Sequence, residues 1–64
     1  MTIDEARRIL GLKPDEEALP HLGEFADARE RIAEMVRAAP NETLAVRYQE
    51  GLMEFDRALG ALRV

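Results

Sequence analysis

Sixty-four residues, no cysteine and a net charge of −4 describe one small domain without disulfides or thiolate metal sites. A domain of this size buries only about 60% of the surface of its extended chain, so its core is marginal. The charge is even, −2 over residues 1–20, −1 over 21–39 and −1 over 40–64. No basic stripe is available for nucleic acid or an anionic membrane surface, and no apolar run reaches the ~18 residues of a membrane span. The start lacks the basic-then-apolar order of a signal peptide, so a cytoplasmic location is expected.

Thr2-Ile3-Asp4-Glu5 opens the chain with the spacing of a capping box: a threonine hydroxyl for the first turn and a glutamate three residues on. Ile3, Ala6, Ile9 and Leu10 share one face, and Gly11 can take the left-handed conformation that ends a helix. A first helix over about residues 3–10 follows. At that length it is unstable alone, so its apolar face must dock on the rest of the chain.

Residues 13–20 form a connector between Pro14 and Pro20. Pro14 followed by acids predicts a single helical turn over 14–18. Leu19 precedes a proline, which favours extended backbone, and it is expected to plug the core from the loop. Asp15, Glu16 and Glu17 read as a solvated first turn. They lack the alternating oxygens, central glycine and closing glutamate of a calcium loop.

The second helix is predicted over 21–38. Leu22, Phe25, Ala28, Ile32, Met35, Val36 and Ala39 fall on a stripe about 140° wide at 100° per residue. Asp27 and Arg31, four apart, are expected to pair on its outer face. Pro40 and Asn41 then suit a break and a new cap. The third helix is predicted over 41–62, with Leu44, Tyr48, Leu52, Phe55, Leu59 and Leu62 on a stripe about 80° wide. Two facing stripes joined by a short connection fold back as an antiparallel hairpin. The expectation is an all-α domain, residues 1–64, with a short helix strapped across that hairpin. Gly51 falls on the core stripe, where it is expected to admit a close helix–helix approach.

Chemistry-bearing groups are sparse. His21 is the only histidine and serine is absent, so no Ser–His–Asp set exists. Gly11, Gly23, Gly51 and Gly60 are isolated and make no phosphate loop. A structural role is expected for His21, since a metal site needs several convergent ligands. No catalytic residue, cofactor or metal is expected, and the chain does not read as an enzyme. Val46 and Met53, seven apart and opposite the core stripe, are the candidate contact patch for another protein or a second copy. The competing reading is a small helix-turn-helix regulator of nucleic acid. Glu42, Glu50, Glu54 and Asp56 against Arg47, Arg57 and Arg63 on the last helix disfavour it.

The segments Ala6-Arg7-Arg8-Ile9-Leu10-Gly11-Leu12, Phe25–Ala33 and Glu54–Leu62 together resemble a J-domain, in its Leu-Gly opening, its second helix and its closing helix. That resemblance implies the three-helix fold and a chaperone-related interaction. The family stimulates a heat-shock ATPase through His-Pro-Asp after its second helix. Here the stretch is Arg37-Ala38-Ala39-Pro40-Asn41, without the histidine or the aspartate. The outer face of the second helix is mixed in charge rather than basic, and the loop after Leu12 is about four residues longer. The resemblance therefore implies a degenerate J-like module that binds a protein partner or dimerises without stimulating an ATPase.

Overall fold

Helix formation at residues 3–9 begins with the cap that Thr2 supplies. In the computed structural model, which describes residues 1–63, its hydroxyl accepts from the Glu5 N–H at 3.1 Å. This helix, α1 (Ile3–Ile9), carries Asp4 and Glu5 in its first turn and Arg7 and Arg8 in its last, both suited to the helix dipole. Gly11 ends it at φ 76°. With that residue left-handed, the Leu12 N–H reaches the Arg7 carbonyl at 2.8 Å and the Gly11 N–H reaches Arg8 at 3.1 Å. These two bonds are a Schellman closure, and they turn Leu12 inward, where it is 8% exposed.

The connector departs from the predicted turn over 14–18. Glu16 N–H bonds back to the Lys13 carbonyl in an isolated turn, and the helical turn comes later, as a 3₁₀ segment Leu19–His21. Pro20 explains the shift: in the first turn of a helix its missing N–H leaves no bond unmade. Leu19 does not plug the core either. It is 71% exposed, and Ala18 packs against the core in its place. The Arg7 guanidinium donates to the Pro14 carbonyl and ties the connector to α1.

Helix α2 (Leu22–Arg37) and helix α3 (Glu42–Leu62) form the hairpin. Asn41, in extended backbone, accepts from the Leu44 N–H at 2.9 Å and caps α3. Arg63 closes the helix in the left-handed conformation at φ 59°. Two aromatic rings bind the hairpin: Phe25 of α2 and Phe55 of α3 meet edge to face, centroids 6.5 Å apart at 78°. Leu12 completes the cluster, with Leu10, Ala28, Ile32, Leu59 and Leu62 packed around it.

α3 is the middle helix: α1 and α2 both pack on it, and α1 does not pack on α2. Ala6 of α1 and Ala58 of α3 are fully buried, the small side chains that let two helices come close. Because α1 does not cover α2, the margins of the α2 stripe stay open, and Leu22 and Met35 are exposed. Gly51 is likewise exposed, and a methyl group built on it would touch nothing, so no helix approaches there. The expected Asp27–Arg31 pair is absent among the described residues. Arg29 instead reaches across the hairpin to Asp56 with two hydrogen bonds, at 2.7 and 3.1 Å. Both side chains are nearly half exposed, so solvent screens the pair and it adds little to the hairpin. Arg37 ties Glu30 and Glu34 along α2.

Candidate protein-contact surface

No large side chain is completely enclosed among the described residues. The molecule measures 38 × 22 × 16 Å and exposes 4740 Å². A compact protein of 7.2 kDa is expected to expose about 4,100 Å². The excess lies on an elongated body whose middle helix has two flanks covered and its outer side bare.

On that outer side stand Val46 and Met53, 52% and 47% exposed. The sequence places them opposite the core stripe, and the tertiary structure adds what the helix alone does not show. Val36, from the last turns of α2, and Ala45 border the same depression as Val46, Gln49, Glu50 and Met53, a shallow groove of about 410 Å³. Met53 and Glu50 also line a second recess with Met1, Glu54 and Arg57. The two recesses share Met53 and Glu50, so the apolar groove is bordered on that side by a more charged one. By spacing Val36 belongs to the core stripe of α2, and only the packing of α2 on α3 places it at the groove.

His21 lies between two carboxylates. One ring nitrogen lies 3.1 Å from Glu16 and the other 3.2 Å from Glu24, and the ring leans on Phe25 at a centroid distance of 6.2 Å. The two carboxylates occupy different ring nitrogens, so they do not converge on a common point with the imidazole. The cluster clips the connector to the start of α2. The Lys13 backbone N–H, donating to Glu16 at 3.1 Å, holds that carboxyl below its ordinary range against the opposing effect of desolvation, and His21 adds to the lowering. Among the described residues no group of three or more His, Cys, Asp or Glu is placed to hold a metal ion. Among the described residues no helix is long and apolar enough to cross a membrane.

Further depressions flank α1, one of them among Glu5, Arg8, Ile9 and Glu54. Two more share Arg7: the first lies among Asp4, Arg7, Arg8, Leu12 and Pro14, the second among Arg7, Glu17, Ala18, Leu19, Leu62 and Arg63. Arg7, common to both, is already engaged by the Pro14 carbonyl, and neither depression gathers a nucleophile beside a base. Compared with known proteins, the chain matches no family model, no curated sequence and no solved structure. The described residues form an all-α domain of three α-helices, a short one and a long hairpin.

Proposed function

We propose that this chain is a non-catalytic protein-contact module of the cytoplasm whose working surface is the outer side of α3. The observation that carries the reading is the groove where Val46 and Met53 meet Val36 and Ala45. A small domain with a thin core gains stability from any partner that binds its folded state and not its unfolded chain. An apolar groove with a charged border suits a protein surface. The order of a short helix and a long hairpin, with no His-Pro-Asp after the second helix, supports placing the chain beside degenerate J-like modules. On that placement it does not stimulate a heat-shock ATPase.

The test is capture from the host with the wild-type chain and with Met53→Asp. The substitution puts a carboxylate in the groove and leaves the core untouched, so circular dichroism should be unchanged. A protein retained by the wild type and lost with the variant supports the reading. Equal retention by both rejects it. Marked stimulation of a heat-shock ATPase by the purified chain would remove the degenerate J-like placement.

A further inference from the structure

We infer that the occupant of the α3 groove is a second copy of this chain, lying antiparallel along α3. The inference rests on the contact reading above and names its partner from the order of residues on that helix.

Four exposed positions, Glu42, Val46, Met53 and Arg57, run down the outer side of α3 within about 60° of one another at 100° per residue. They are nested about one centre. The midpoint of Val46 and Met53 falls between Gln49 and Glu50, and so does the midpoint of Glu42 and Arg57. A two-fold axis through that point makes the surface complementary to itself. Val46 then meets Met53 of the second copy, and Met53 meets its Val46. At each end a glutamate meets an arginine, Glu42 of one chain against Arg57 of the other, twice. At the centre each Gln49 amide can donate to a Glu50 carboxylate of the other copy.

The charges are free for this use. Neither Glu42 nor Arg57 takes part in an ion pair within the chain among the described residues. The charged side chains of the hairpin that do pair are others: Arg29 with Asp56, Arg37 with Glu30 and Glu34, and Glu24 with His21. Methionine suits the groove, because its unbranched chain can seat beside Val36 and Ala45 of the other copy without demanding one rotamer. A parallel arrangement is excluded by the same order, since it would place arginine on arginine and glutamate on glutamate. The apolar contact is small, below the roughly 1,200 Å² of a standard interface, so the association is weak and exchanging.

Sedimentation of the purified chain over a range of concentrations tests this, with circular dichroism confirming that each variant is folded. The wild type should move from monomer to dimer as concentration rises. E42R and R57E should each weaken the dimer by about tenfold, because each turns two attractive border pairs into two repulsive ones. An equimolar mixture of E42R and R57E should recover wild-type association, as should the double variant, since both restore opposite charges at each end. A contact that is merely apolar, or that runs in another direction, shows no such recovery. A wild type that stays monomeric at about 1 mM, or single variants whose effects are not rescued on mixing, overturns the inference. If the wild type is monomeric yet loses a captured host protein on Met53→Asp, self-pairing fails and the contact reading stands. If neither occurs, both fail.

Discussion

Phe55 is the residue on which the hairpin depends most, and Phe55→Ala measures that dependence. Its ring is 7% exposed and its chief partner, Phe25, is 6% exposed. Truncating a buried phenylalanine to alanine costs about 3–5 kcal/mol, of which the edge-to-face contact accounts for roughly 0.5–1.5. The thin surroundings can partly collapse into the space, which places the loss near the lower figure, about 3 kcal/mol. At roughly 0.05–0.15 kcal/mol per residue, a chain of 64 residues has only about 3–10 kcal/mol in total. The loss is therefore between about a third and the whole of the stability. Urea titration followed by far-ultraviolet circular dichroism reads this directly, with a slope near 1 kcal/mol per molar and a midpoint lowered by about 3 M. Phe55→Leu, which retains most of the volume, should lose about half as much or less. If Phe55→Ala loses under about 1 kcal/mol, the two rings are not the centre of the core, and the helix arrangement around them is wrong.

The remaining predictions concern backbone, cap and charge. Gly51→Ala should raise stability by roughly 0.5–1 kcal/mol, since the site is open and helical, while Gly11→Ala should lower it by about 1 kcal/mol through its positive φ; thermal melts of the pair should shift in opposite directions. Asn41→Ala should lose about 1 kcal/mol by freeing the Leu44 N–H, and faster amide exchange in the first turn of α3 should accompany the lowered melt. Glu16 contributes through a lowered folded-state pKa, so its contribution is complete above the ordinary glutamate range and disappears as pH falls through the folded value. The difference in melting temperature between wild type and Glu16→Gln should shrink as pH is taken below that range. A gap that persists or widens in acid would show that Glu16 does not act through its ionised carboxylate.

Much of the fold is legible in the letters because helices declare themselves locally. Thr2 and Asn41 cap, Gly11 terminates, and the Leu44-to-Leu62 stripe repeats with the helical period, each within a few residues of the group it affects. The connector misled for a related reason. Pro14 and Pro20 both fit the start of a helical turn, and local chemistry does not rank two sites that satisfy the same rule. Leu19 and Ala18 could each have faced inward, and the turn at Leu19–His21 decided for Ala18. Gly51 looked like a close-approach site because periodicity assigns a face to it but cannot say whether a neighbour arrives there.

The sequence by itself determined that this chain makes helices, where they start and stop, and which side of α3 is apolar twice over. Those properties follow from hydrogen bonds and spacings a few residues long. Tertiary structure alone decided that α3 is the middle helix, that α1 lies on it and not on α2, and that Val36 crosses to border the groove beside Val46 and Met53. Such choices depend on which surfaces exclude the most water when all the helices assemble at once, and no single stretch of sequence contains that comparison.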